Sequence, residues 1–219
     1  MATQSRSTPT TPELLAYIQR YFSAEDEFLA AVRQEALEAG FPEIWIAPEQ
    51  GAFLQVLLRA MGARFVLEIG TLAGYSAIMM ARALPEDGHL ITVERDPERA
   101  AFARRAIERA RLQQKITVEC ADARQWLRSF HPPVPLDFVF LDADKPSYGF
   151  YLEHCLPLLR IGGILCADNA LAWGEIASES NDPDVQALQD FNRRMATHPQ
   201  LQCCLVPLGD GMLLGLRRW

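Results

Sequence analysis

From residue 65 onward the chain alternates short apolar runs with stretches of helical period, and this restricts the fold more than any other feature. Phe65-Val66-Leu67-Glu68-Ile69 reads as a buried strand running into Gly70. Helical spacing follows over 75–84, then a strand at 89–94, a helix at 97–111 and a strand at 115–119. The pattern continues with a helix over about 123–130, a strand at 136–141, a helix at 147–159, a strand at 163–167 and a helix at 183–197. Segments 201–206 and 211–217 read as two strands folded about Leu208-Gly209-Asp210. Such alternation predicts βαβ units, hence an α/β fold with a mostly parallel sheet covered by helices on both faces. Right-handed crossovers then fix most of the topology.

Residues 12–62 carry a different pattern. Leu14, Leu15, Ile18 and Phe22 follow helical spacing behind Pro12. A second helix over 26–39 stops at Gly40-Phe41-Pro42, and a third covers 49–61. The expectation is one domain over 12–219 with an N-terminal helical extension at 12–62, preceded by a disordered tail at 1–11. With 49% apolar and 22% charged residues in 219, the chain has the make-up of a soluble globular protein and can bury its core without disulfides. A net charge of -7 argues against a nucleic-acid coat or an anionic-membrane binder, since both need a basic surface. The five cysteines have no CxxC spacing and read as buried, reduced thiols. The polar first ten residues lack a signal-peptide core, and no apolar run approaches the ~20 residues of a membrane span, so a cytoplasmic location is expected.

The turn Glu68-Ile69-Gly70-Thr71-Leu72-Ala73-Gly74-Tyr75-Ser76 follows a strand and opens a helix. Glycine there lets the backbone turn sharply and approach a ligand, which in such sheets binds outside the carboxyl ends of the strands. The spacing is neither GxGxxG nor GxxxxGK[ST]. Glu94 ends the second strand, where a carboxylate can accept both ribose hydroxyls of an adenosine cofactor. Asp122-Ala123 follows the third strand, well placed to meet an adenine. Taken singly, the glycine turn can be purely structural and Glu94 a surface carboxylate; together they favour an adenosine cofactor.

Strand four ends Leu141-Asp142-Ala143-Asp144-Lys145, and strand five ends Ala167-Asp168-Asn169. Neighbouring parallel strands place these ends side by side, so Asp142, Asp168 and Asn169 can converge as hard oxygen ligands for Mg²⁺, Mn²⁺ or Ca²⁺. The alternative is that the two aspartates cap the following helices. Lys145 is either a solubilising surface charge or a general base beside a cation-held phenol. No Gly-x-Ser-x-Gly elbow or matched Cys/His set suggests a covalent enzyme intermediate. A nicotinamide-dependent oxidoreductase or a non-catalytic cofactor-binding module on a related sheet are the rival readings. Neither needs all of Asp142, Lys145, Asp168 and Asn169.

At these residues the chain resembles the cation-dependent O-methyltransferases of the caffeoyl-CoA O-methyltransferase type, cousins of catechol O-methyltransferase. The stretches that carry the resemblance lie at 46–88, 139–151, 167–194 and 207–218; its most specific element is Leu141-Asp142-Ala143-Asp144-Lys145 followed by Asp168-Asn169. The resemblance implies a seven-stranded Rossmann-like methyltransferase sheet whose last strand runs antiparallel. It implies S-adenosylmethionine as cofactor, with Glu68, Gly70, Tyr75 and Ser76 at its methionine end, Glu94 at its ribose and Ala123 at its adenine; Asp122 and Asp142 border the same cofactor. Asp142, Asp168 and Asn169 would hold the cation, Lys145 would be the base, and a phenol or catechol the acceptor. Members are commonly homodimers. Two departures stand out: Trp173 comes one place later than usual after Asp168-Asn169, and Phe41-Pro42-Glu43-Ile44-Trp45 is an unusual lead-in.

Overall fold

The computed structural model describes residues 8–23 and 25–219. Most of the expected tail lies outside these residues; 8–11 carry no regular structure, and Thr11 caps the first helix by accepting the Leu14 N–H. Helices α1 (Pro12–Phe22), α2 (Glu27–Glu38) and α3 (Pro48–Ala60) form the N-terminal extension. Then follow β1 (Phe65–Ile69), α4 (Tyr75–Ala81), β2 (His89–Glu94), α5 (Pro97–Arg109), β3 (Ile116–Cys120), α6 (Ala123–Ser129) and β4 (Leu136–Leu141). The chain continues through α7 (Tyr148–Cys155), β5 (Leu159–Ala167), α8 (Pro183–Thr197), β6 (Leu201–Val206) and β7 (Met212–Arg217). Helix starts are written locally: Asp26, Asp96, Asp122 and Asp182 each accept a backbone N–H of the first turn, and proline follows directly at α5 and α8.

Among the described residues seven strands form one sheet, in the order β3-β2-β1-β4-β5-β7-β6. Strands β1 to β5 pair in parallel, while β7 runs antiparallel to both β5 and β6. The two-residue period of a strand divides the core into two layers. Val66, Phe138, Phe140 and Cys166 face the layer that holds α3 and α4. Leu67, Ile69, Val139, Leu141, Leu165 and Ala167 face the layer under α7 and α8. Every residue of β1 is buried, which is why its sequence reads as a continuous apolar run and not as an alternation.

The expected helix at 147–159 is broken. Lys145–Ser147 forms a 3-10 turn, α7 ends at Cys155, and Leu156–Leu158 forms a second 3-10 turn around Pro157, which has no N–H to continue a helix. Strand β5 starts at Leu159, ahead of the expected 163, and its glycines lie inside the strand where a register shift occurs. The expectation of buried cysteines holds for Cys155 and Cys166 but not for Cys120 and Cys204, which are exposed; all five are free thiols. Among the described residues no helix is long and apolar enough to cross a membrane.

The register carries each strand end to the same edge. Ile69 pairs with both Val93 and Leu141, and Leu141 with Ala167. Gly70, Glu94, Asp142 and Asp168 are therefore neighbours in one row at the carboxyl edge. The row is held by ladder hydrogen bonds: Gly70 N–H to the Val93 carbonyl at 3.0 Å, Asp142 N–H to Ile69 at 2.9 Å and Asp168 N–H to Leu141 at 3.0 Å. Gly70 has φ +99°, and a Cβ added there would overlap the Asp142 carbonyl. The glycine both makes the turn and lets it pass against the next strand. Gly70→Ala is expected to cost about 3 kcal/mol or more, combining left-handed strain with overpacking. Urea unfolding checks this, and a loss under about 1 kcal/mol would show that the turn relaxes freely.

Candidate active site

The row opens into a cavity of about 910 Å³. Gly70, Tyr75, Ser76, Glu94, Asp122 and Ala123 line it, and so do Asp142, Lys145, Asp168 and Asn169. Glu68 does not line it; it is fully buried behind Ser76, whose hydroxyl donates to Glu68 Oε1 at 2.5 Å. Glu68 Oε2 is buried with no hydrogen-bond partner. Burial pushes this carboxyl up to about 8, the Ser76 hydrogen bond and the nearby Thr92 hydroxyl oppose the rise, and the charges of Asp142 and Glu94 add to it.

Glu94 holds the turns around it as well as facing the cavity. Its Oε2 accepts the Leu72 N–H at 2.9 Å and its Oε1 accepts the Asp96 N–H at 2.9 Å. Each oxygen keeps a further lone pair for a ligand. Asp122 is the N-cap of α6, accepting the Gln125 N–H at 3.0 Å, and Ala123 is the first helical residue. Tyr75 opens α4 with a buried ring, and its hydroxyl donates to Glu25 Oε1 at 2.9 Å. Arg33 grips the same Glu25 through two bonds of 2.6 and 2.7 Å and lies 5.7 Å from the Trp45 ring centre. The N-terminal extension is thus fastened to the glycine turn and forms one wall of the cavity.

The other half of the cavity is built on β4 and β5. Asp142 and Asp168 are not helix caps: Asp144 precedes the 3-10 turn after β4, and Leu171 precedes the turn after β5. Asp168 is 5% exposed. Burial raises its carboxyl, the neighbouring charge of Asp142 raises it further, and the Asn169 N–H, Gln50 and Lys145 pull against this. Gln50, from the first turn of α3, donates to Asp168 Oδ1 at 2.7 Å. Asn169 has a left-handed backbone (φ +60°), and its Nδ2 donates to Asp210 Oδ2 at 3.3 Å.

Lys145 is buried, which sets it apart from a solubilising surface lysine. Its ammonium donates to Asp142 Oδ1 at 3.3 Å and to Tyr148 Oη at 3.0 Å. The Tyr148 hydroxyl in turn reaches the carbonyls of Leu141 at 3.2 Å and Asp168 at 3.4 Å, tying the lysine to both strand ends. Burial and the charges of Asp142 and Asp168 keep this phenol un-ionised, well above its ordinary range.

Gln50, Tyr148 and Asp210 escape a reading of motifs, although each leaves a sequence signal. Gln50 stands three residues after the α3 N-cap, where a glutamine reaches back to a backbone N–H. Tyr148 is one turn beyond Lys145, and Asp210 lies between two glycines in the β6–β7 turn. Among the described residues no three His, Cys, Asp or Glu side chains cluster as metal ligands. The candidate cation set is two carboxylates and one amide. Hard oxygen donors and two crowded carboxylates, Asp168 buried and Asp142 half-buried, fit a hard divalent ion, whose charge would relieve their repulsion.

Comparison with known proteins bears on this geometry. The profile described as O-methyltransferase matches residues 19–218. A catechol O-methyltransferase from Niastella koreensis is 38% identical over 208 residues, covering 91% of this chain and 94% of its own. One from Mycobacterium tuberculosis is 34% identical and covers 96% and 97%. The crystal structure of an O-methyltransferase from Bacillus cereus in complex with SAH has a TM-score of 0.87 at 34% identity, covering 93% of this chain and 96% of that one.

Glu68 ionises near 4.5 when unperturbed and near 8 in the fold, so the folded state holds an extra proton between those values. Its contribution favours the fold fully below about pH 4.5 and is lost as pH rises toward 8. Glu68→Gln keeps an acceptor for Ser76 and removes the titration. It is expected to match the parent at the acid end and to melt increasingly higher up to pH 8. Each kcal/mol of that gap is worth roughly 2–4 °C in a chain of this size. Thermal melts across the window check this; a gap that does not change with pH would contradict it.

Proposed function

This chain belongs to the O-methyltransferase family, and we propose that it transfers the methyl group of S-adenosylmethionine to one hydroxyl of a catechol-like phenol held at a divalent cation. The observation that carries the reading is the row formed by Glu94, Gly70, Asp142 and Asp168, with buried Lys145 against Asp142, along one continuous cavity. SAH, present in the Bacillus cereus structure, is what S-adenosylmethionine becomes once its methyl has left. The catechol O-methyltransferases at 38% and 34% identity support the acceptor class.

In this reading the glycine turn and Glu94 hold the cofactor, Glu94 through the lone pairs its backbone partners leave free. Ser76 and Tyr75 sit at the methionine end, and Asp122 and Ala123 at the adenine. Asp142, Asp168 and Asn169 hold the cation, which when bound supplies Lewis acidity that favours ionised phenol oxygens. Lys145 in its neutral amine form takes the proton from the reacting hydroxyl and becomes the ammonium, and its two anchors, Asp142 and Tyr148, keep its nitrogen in place. Ile44, Trp45 and Trp173 line the cavity and offer apolar surface for an aromatic ring. Charge is lost from both partners as methyl moves, so a cavity that excludes water favours the transfer. A pairing of two copies belongs to this proposal; the exposed Tyr17, Tyr21 and Phe22 on α1 offer an apolar surface for it.

Methyl transfer to a simple catechol is expected to stop in EDTA and return with Mg²⁺ or Mn²⁺. Asp168→Ala should resist that rescue while still binding SAH, because the adenosine half of the site lies on β1 to β3. Full activity in chelator would leave the two aspartates without a cation role.

Lys145→Ala is expected to lower turnover ~10²–10⁴-fold at neutral pH, the usual worth of a positioned base. The deficit should shrink as pH rises, since phenol that ionises unaided bypasses the lysine. A variant within about threefold of the parent at every pH would remove Lys145 from the base role.

A further inference from the structure

Two side-chain amides flank the paired strand ends, and the orientation of each is forced by a partner that bonds in only one sense. Gln50 Oε1 accepts the Ala47 backbone N–H at 2.9 Å. A backbone N–H only donates, so the amide nitrogen of Gln50 must face the other way, toward Asp168 Oδ1 at 2.7 Å. The carboxylate of Asp210 accepts. It takes the Trp173 N–H at 2.9 and 3.1 Å and Asn169 Nδ2 at 3.3 Å. With its nitrogen committed to Asp210, Asn169 turns its oxygen away from that carboxylate.

Neither partner lies on the strands that carry the candidate ligands. Gln50 comes from the first turn of α3, and Asp210 from the β6–β7 turn, so segments from opposite ends of the chain converge here. They also touch each other. A Cβ added to Gly209, which has φ +58°, would overlap the Gln50 carboxamide. Gly209 is thus the gap into which Gln50 fits while it reaches Asp168. The loop that follows Asp168 needs the support: Asn169, Ala172 and Trp173 all have left-handed backbones, which non-glycine residues adopt only when their surroundings impose it.

We propose that Gln50 and Asp210 are positioning residues for the cation site, Gln50 fixing the Asp168 carboxylate and Asp210 fixing the Asn169 amide so that their remaining oxygens meet a divalent ion already aimed. This rests on the cation reading given above and adds who sets the ligand geometry. Each partner removes rotamer freedom from one ligand before the ion arrives, and loss of such outer contacts typically weakens metal binding 10–100-fold.

The test is Mn²⁺ titration of the SAH-bound protein, following the free-ion signal by electron paramagnetic resonance. Three variants separate aiming from general support. Gln50→Leu removes the donor to Asp168. Asp210→Ala removes the acceptor of the Asn169 amide together with that of the Trp173 N–H. Gly209→Ala keeps both side chains but displaces the Gln50 carboxamide, and it also strains the turn that carries Asp210. Each is expected to weaken Mn²⁺ about 10–100-fold with SAH affinity, measured by calorimetry, unchanged. If Gln50→Leu does not fold, Gly209→Ala tests the same contact. Parent protein that binds Mn²⁺ together with variants that bind it equally well overturns the proposal alone. Parent protein that takes up no Mn²⁺ overturns the cation reading beneath it as well.

Discussion

The parallel pairing of β4 with β5 sets most of what this site can do. Leu141 stands opposite Ala167, and the Asp168 N–H bonds the Leu141 carbonyl, so Asp142 and Asp168 leave the sheet side by side. A sheet places these two carboxylates together at a cost: Asp168 loses water, and the neighbouring charge of Asp142 makes it harder to ionise. The rest of the local structure answers that cost. Lys145 bonds Asp142, Gln50 bonds Asp168, and Tyr148 bridges from the lysine to the carbonyls of both strand ends. What remains uncompensated is oxygen-rich and faces a cavity, which is the condition for holding a hard cation.

The same row explains why the N-terminal helices cannot be a detachable ornament of the sheet. The sheet supplies ligands along one edge only, so a wall must come from elsewhere. Glu25 and Arg33 clamp Tyr75 from one side, and Gln50 inserts beside Gly209 to reach Asp168 from the other. Antiparallel β7, lodged between β5 and β6, delivers the Gly209-Asp210-Gly211 turn to the same place. Sequence distance therefore says little about proximity here: Gln50 and Asp168 are 118 residues apart and share a buried hydrogen bond.

The sheet and most of its helices were legible because they depend on local signals. Strand runs such as 136–141 and helix starts such as Asp182-Pro183 carry period, burial and capping in adjacent residues. Legibility failed where chemistry contradicts local appearance. Pro157 splits what looks like one helix, and Gly162-Gly163 hides the first residues of β5. At the site, strand-end residues such as Glu94, Asp142 and Asp168 could be named because topology alone brings strand ends together. The residues that orient them could not. Gln50 looks like a capping residue and Asp210 like a turn residue, and both are that; their second bond crosses to another part of the chain. Glu68 shows the reverse case: its motif position places it in the expected cofactor set, yet its side chain is sealed behind Ser76 and does not line the cavity.

Everything proposed for this site turns on whether the strand-end pair Asp142 and Asp168, completed by Asn169, holds a cation. Diffraction from crystals grown with SAH and Mn²⁺, recorded at the manganese absorption edge, measures this without any assay of activity. One anomalous peak is predicted, within bonding distance of oxygens from all three residues. A peak elsewhere in the cavity, or none at full SAH occupancy, would contradict the cation site.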